Sequence, residues 1–162
     1  MNTASLSETL TTLCSELVDG AHVPGGAFIL NSGDAGLLGS LDKLSAAEAS
    51  RSSSGGATIA AHADHVRYGV SLLNTWNPGE DPWVNANWSA SWELSSVTDQ
   101  QWLSIRNALR DECQRMLQRL RTPLDVTPTE LNAIVGTIAH IGYHLGAIRQ
   151  IERNARGPKE GA

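Results

Sequence analysis

TPTELNAIVGTIAHIGYHLGAIRQI, residues Thr127 to Ile151, spells one long helix with a clear start. Thr127 can cap it, Pro128 suits the first helical position, and Glu130 three residues after the cap completes a capping box. Leu131, Ile134, Val135, Ile138, Leu145 and Ile148 form an apolar stripe. Ala133, Gly136, Thr137, Ala139, Gly142, Gly146 and Ala147 fill most of the remaining circumference. A helix apolar nearly all round is expected at the centre of a fold. At about 25 residues it has the length to cross a bilayer. Its Glu, Asn, His, Arg and Gln residues and its four-residue spacings favour a soluble core helix instead.

Inside this stretch His140 and His144 are four residues apart, on one face and one turn apart. Imidazoles at that spacing can share one metal ion. They can equally be core histidines bonded to carbonyls or water. The pair alone does not choose.

The remaining composition narrows the class. A chain of 162 residues, 41% hydrophobic and 18% charged, is one soluble domain with a real core. A formal charge of −5, with no lysine or arginine cluster, argues against nucleic-acid and anionic-membrane partners. Cys14 and Cys113 are far apart, form no CxxC, and suit core positions on helices. With an N-terminus lacking the basic start and apolar run of a signal peptide, the expectation is a cytoplasmic protein.

Outward from the buried helix, three more long helices are expected. The first begins near Ser5, with Glu8 in a capping-box position, Leu6, Leu10, Leu13 and Leu17 inward, and Gly20 as the stop. Residues 21 to 34 read as a loop with Phe28, Ile29 and Leu30 tucked inward. A shorter helix is expected from Gly36 to Ser50, and the SRSSSGG run from Ser50 to Gly56 reads as a flexible loop or the approach to a site. A long helix then covers Ala57 to Trp76, ended by Asn77-Pro78-Gly79. Residues 77 to 97 read as an ordered excursion carrying Trp83, Trp88 and Trp92 that packs on the body, with a lid closing over the site as the alternative. Thr98 and Gln101 open an amphipathic helix running to about Arg121, broken by Pro123. The chain reads as one helical bundle domain over residues 1 to 154 and a flexible tail over 155 to 162.

Four of the five histidines fall into two pairs on two long helices, His62 with His65 and His140 with His144, while His22 stands alone in a loop. Facing helices of a bundle build metal sites from such inward side chains. Buried imidazoles there need hydrogen bonds or a metal. A hydrogen-bonded network with Asp64, Ser71 or Thr137 is the alternative. Neither helix carries Glu-x-x-His, which disfavours a di-iron carboxylate site. Ile141 stands where a zincin would place its general base, which disfavours a zincin protease. Three neutral histidines on one divalent ion leave positions open for water or substrate. Zinc and nickel both suit imidazole.

HADHVRYGVSLLNTW (His62 to Trp76) followed by AHIGYHLGAIRQI (Ala139 to Ile151) resembles the DinB-like superfamily, including its YfiT-type metal-dependent hydrolases and thiol-dependent S-transferases. The resemblance runs from the first helix to Ile151, and the HxxxHLGxIRQ end is its most characteristic part. It implies an all-α four-helix bundle with a long ordered loop between the second and third long helices. It also implies a histidine triad with one ligand from the second long helix and two from the last. On this sequence those are His65, His140 and His144, with His62 as the alternative first ligand or a partner behind it. The implied activity is that of a hydrolase or a thiol S-transferase acting on a small molecule. A low-molecular-weight thiol is a candidate cosubstrate and a homodimer the expected assembly. Tyr143, Tyr68 and Asp64 are the nearest candidate proton carriers, and Arg67 and Arg149 candidate anion binders, each with a plain packing or surface role as its alternative. The rival functions are a non-catalytic metal-binding protein with a sensing or stress role and a metal-free helical dimerisation module.

Overall fold

The computed structural model describes residues 3–21, 27–77, 80–81 and 83–159. Over these the chain forms α1 (Thr3–Asp19), α2 (Gly36–Asp42), α3 (Ala46–Ala49), α4 (Ile59–Asn74), α5 (Asp99–Leu120) and α6 (Pro128–Ile151). Short 3-10 turns cover Ala90–Glu93 and Arg153–Ala155. Among the described residues there is no strand, only an isolated bridge between Ser52 and Thr58. The fold is all-α.

Threonine caps set the starts of α4, α5 and α6 by satisfying amide groups that the first turn leaves unbonded. Thr127 Oγ1 accepts from the Glu130 amide at 3.3 Å while the Glu130 carboxylate accepts from the Thr127 amide at 2.8 Å. Thr98 and Gln101 repeat the device on α5. Thr58 accepts from the Ala61 amide at 3.1 Å and also donates to the Leu94 carbonyl at 2.6 Å, tying α4 to the chain that precedes α5. Gly20 ends α1 at φ +107°, where a Cβ would meet Asp34 O at 2.1 Å. Only glycine fits.

The four long helices pack as a ring, α4 against α5 and α6, and α1 against the same two. Leu17, Ile59, Leu109, Met116, Ile134 and Ile141 lie at its centre with essentially no exposure. Cys14 and Cys113 are buried free thiols on α1 and α5. Burial pushes the Cys14 thiol up to about 12 and raises Cys113 as well. Trp102 anchors α5 by donating from its indole to the Leu44 carbonyl at 2.8 Å.

Several expectations change. The helix expected from Gly36 to Ser50 is two pieces, because Ser45 caps a new turn through a capping box with Glu48. Phe28 and Ile29 are exposed rather than tucked inward. Their backbone is what is anchored: the buried Glu16 carboxylate accepts from the amides of Phe28, Ile29 and Leu30 at 2.6–3.1 Å. Helix α6 is not enclosed all round, since Val135, Gly136, Ala139, Tyr143 and Gly146 are exposed along one side. By length and hydropathy α6 could cross a membrane, but Ile134, Ile138, Ile141, Leu145 and Ile148 are committed to the core. The chain also stays packed beyond residue 154. Ala155 is fully buried, and Gly157 lies so near Asp34 that a Cβ would meet its carboxylate at 2.0 Å. Pro78 and Gly79, expected to end α4, and His22 lie outside the described residues.

Candidate metal centre

Helices α4 and α6 run antiparallel where they touch: His62 meets His144, His65 meets His140 and His144, and Gly69 lies beside His140. The four imidazoles therefore form one cluster. His65 and His144 are buried, 7% and 2% exposed, while His62 and His140 are half-buried. One ligand nitrogen from each of His65, His140 and His144 lies within 4.8 Å of the other two.

The hydrogen bonds say which nitrogens are engaged by outer partners. His65 Nδ1 is 3.0 Å from Ser91 Oγ, and Ser91 in turn donates to the Trp88 carbonyl at 3.2 Å. His144 Nδ1 is 2.8 Å from His62 Nδ1. Both bonds use Nδ1, so the ligand nitrogen left to His65 and His144 is Nε2. His144 Nε2 faces His140 Nε2 at 2.8 Å. Nitrogens about a tetrahedral ion with bonds of about 2.0–2.1 Å lie roughly 3.3 Å apart. The His140–His144 pair is somewhat closer than that, and all three ligand atoms fall within 4.8 Å of one another. The donor set is compatible with a divalent ion, and outer partners fix two of the rings as metal-ligating histidines require.

The surroundings keep these rings neutral. Burial comes first for all four histidines, and the neighbouring imidazoles add to it for His65 and His144. His65 is pushed down to about 4 and His144 to about 3, with His62 and His140 lowered as well. A neutral imidazole is the form that ligates.

The tryptophan segment supplies the cover. Trp92 stacks on His65 with ring centroids 4.1 Å apart, and Trp88 lies 5.4 Å from the same ring. Side chains of the body hold the segment down: Tyr68 Oη accepts from the Asn87 amide at 3.0 Å and Ser50 Oγ from the Val97 amide at 3.0 Å. Beside His65 and His140 opens a cavity of about 730 Å³, within the range of small-molecule sites.

Other candidates from the sequence fall elsewhere. Asp64 is held by Arg67 at 2.6 Å, and Ser71 donates to the Tyr68 carbonyl. Thr137 is buried and lines the cavity. Tyr143 is 70% exposed and touches His144 only ring edge to face, with centroids 5.0 Å apart. Arg149 is not a free cation, since its guanidinium binds Asp34 at 2.6 and 2.9 Å and Ser40 at 3.0 Å. Within the Ser50–Gly56 run residues 51 to 56 are exposed, and the run meets the start of α4 through the Ser52–Thr58 bridge and the Arg51 carbonyl, which accepts from the Ile59 amide at 3.1 Å. Ser91 went unseen in sequence because a serine in an irregular segment carries no periodicity. The three tryptophans around it were the only signal that the segment packs.

Neither family models, curated proteins nor solved structures give a match to this chain.

Proposed function

We propose that the protein is a divalent-metal-dependent enzyme of DinB-like type acting on a small molecule, as a hydrolase or a thiol-dependent S-transferase. The observation that carries this reading is the set of ligand nitrogens of His65, His140 and His144 within 4.8 Å of one another, with His65 and His140 lining a ligand-sized cavity. The ring of four long helices is in keeping with a DinB-like four-helix bundle.

In this reading His65, His140 and His144 hold the ion. Ser91 keeps His65 presenting Nε2, and His62 does the same for His144 by accepting its Nδ1 proton. Trp88 and Trp92 keep bulk water from the rings. An ion so held supplies Lewis acidity, polarising a substrate and lowering the pKa of water or a thiol. Zinc and nickel both suit the donor set, and a low-molecular-weight thiol is the cosubstrate of the transferase form. The same reading takes the protein as a cytoplasmic homodimer, for which the exposed Val135, Ala139 and Tyr143 of α6 offer an apolar surface. A metal-binding protein without turnover is the second reading. It is favoured by the engagement of Asp64, the carboxylate whose charge acts on His65, with Arg67 rather than with a histidine nitrogen.

Metal analysis of protein prepared without a histidine tag and replenished with zinc or nickel tests the site. One ion per chain is expected, lost in His140→Ala. His62→Ala should still bind, but about 10- to 100-fold more weakly, as for loss of an outer-shell partner. Substoichiometric metal in the parent protein, or unchanged metal in His140→Ala, rejects the site. Turnover across a panel of thiols and electrophiles then separates the enzyme from the binding protein.

A further inference from the structure

The cavity beside the histidines is a groove with two chemically different ends. Along α6 its wall runs from His140 back through Gly136 to Asn132 and Thr129. Eleven residues of helix correspond to roughly 16 Å. Along the antiparallel α4 it runs from His65 through Gly69 to Trp76, just past the helix end. Trp83 and Trp88 close the remaining side, with centroids 5.6 Å apart and planes 31° from parallel.

Glycine keeps the groove open. A Cβ at Gly136 would meet nothing within 4 Å, so the space over it is empty rather than filled by a neighbour. A Cβ at Gly69 would touch Trp88 and His140 at 3.6–3.7 Å, so larger side chains there would fill the histidine end.

The far end is acidic. Besides the histidines, Glu80 and Asp81 are the only titratable side chains of the lining, and no lysine or arginine belongs to it among the described residues. The indoles and the carboxylates are tied together: the Trp76 indole donates to the Glu80 carbonyl, and Asp81 Oδ1 accepts from the Trp83 amide at 2.8 Å. The Asn77 side-chain amide donates to Glu80 Oε2 at 3.2 Å. One carboxylate oxygen of each acid is thus engaged by a neutral donor, and neither acid forms an ion pair among the described residues. Indole faces beside uncompensated carboxylates attract organic cations, by the ring quadrupole and by charge. An anion would meet repulsion there with no donor of positive charge.

We infer that the ligand of this groove is an elongated apolar organic cation, an alkyl or aralkyl amine or quaternary ammonium. Its charged end lies at Trp76, Trp83, Glu80 and Asp81, and its apolar body runs over Gly136 toward the histidines. This deepens the proposed function by naming a substrate class, and as an enzyme substrate it rests on that reading. A divalent ion at the histidines is only partly screened from it: Trp83 is 5.6 Å from Trp88, which is 5.4 Å from His65, so that part of the seat lies little more than one screening length from the histidines at physiological salt.

Binding of n-octyltrimethylammonium, 1-octanol and octanoate, all below micellar concentration, tests the assignment by tryptophan fluorescence and calorimetry on metal-free and metal-loaded protein. The cation should bind about tenfold more tightly than the alcohol, with octanoate weakest. The double variant Glu80→Gln/Asp81→Asn, which keeps the hydrogen-bonding shape, should bring cation and alcohol to within about twofold of each other. Gly136→Phe should abolish binding of all three while leaving the fold and metal content intact. Equal or tighter binding of the alcohol by the parent protein, a cation preference that survives the double variant, or unchanged binding in Gly136→Phe overturns the inference, as does no binding of any probe. A cation preference in protein that takes up no metal upholds the groove and rejects the metal reading. Metal uptake with no cation preference does the reverse.

Discussion

At the scale of single residues, burial decides the state of the histidines. Free imidazole titrates near 6.5, whereas burial first, and then the neighbouring rings, push His65 down to about 4 and His144 to about 3. A group whose folded pKa is lowered binds its proton first in the unfolded chain, so acid favours unfolding. The stability these histidines contribute is complete above about 6.5 and is lost as pH falls toward their folded values. The shifted carboxylates, Glu48, Glu130 and Glu152, have ordinary values of 4.5 and lowered folded ones, so the window from 6.5 to 4.5 belongs mainly to the histidines. The melting temperature of chelator-treated protein should therefore fall between about pH 7 and pH 5. A flat profile over that interval would contradict buried neutral imidazoles. Metal binding should deepen the dependence, because ion and protons compete for the same nitrogens.

At the scale of the element, helix α6 combines a start fixed by local chemistry with a face that only packing defines. Its Thr127–Glu130 capping box and Pro128 were legible in advance because a cap is local chemistry, settled within one turn. Its apolar circumference misled, because glycine and alanine fit a tight helix contact and an open groove equally well. Gly136 is the decisive position: it is exposed, and a Cβ added there would have nothing within 4 Å. Gly136→Ala should stabilise the protein by about 0.5–1 kcal/mol, the ordinary gain of replacing glycine inside a helix. Denaturant unfolding reads it directly, and a loss of stability would mean that the space over Gly136 is not open. The tryptophan excursion has the opposite history. Its order followed from indoles too apolar to leave in water, yet its anchors are the single hydrogen bonds of Tyr68, Ser50, Thr58 and Ser91 with distant chain.

For the whole molecule, the Arg149–Asp34 pair joins the late helix to the loop before α2. Asp34 is 3% exposed at its side chain, accepts two guanidinium bonds from Arg149, and also accepts from the Gly36 amide at 2.8 Å. Arg149 holds Ser40 Oγ and the Ala155 carbonyl as well, so helix α2 and the final 3-10 turn are fastened to α6 through one side chain. Removing one partner of a buried pair leaves the other charge uncompensated, which costs far more than the net worth of the pair. Asp34→Ala should destabilise the fold by about 3–5 kcal/mol in equilibrium unfolding. A change below about 1 kcal/mol, the scale of an exposed pair, would show that the clamp is solvated. The variant should leave the histidine nitrogens in place, since none of them bonds Asp34 or Arg149.

The sequence by itself determined the all-α class, the starts of the capped helices, the buried cysteines and the placing of two histidine pairs on two long helices. Each of these depends on hydrogen bonds within one turn or on a periodicity of about 3.6 residues, and both are written along the chain. Only the tertiary structure decided that His62 turns to His144, that Ser91 holds His65, that Asp64 and Arg149 are spoken for, and that a groove with an acidic aromatic end leads away from the histidines. His65 and His140 are 75 positions apart. Which ring nitrogen faces which is a matter of how α4 and α6 rotate against one another, and that rotation is set by the packing of the whole core.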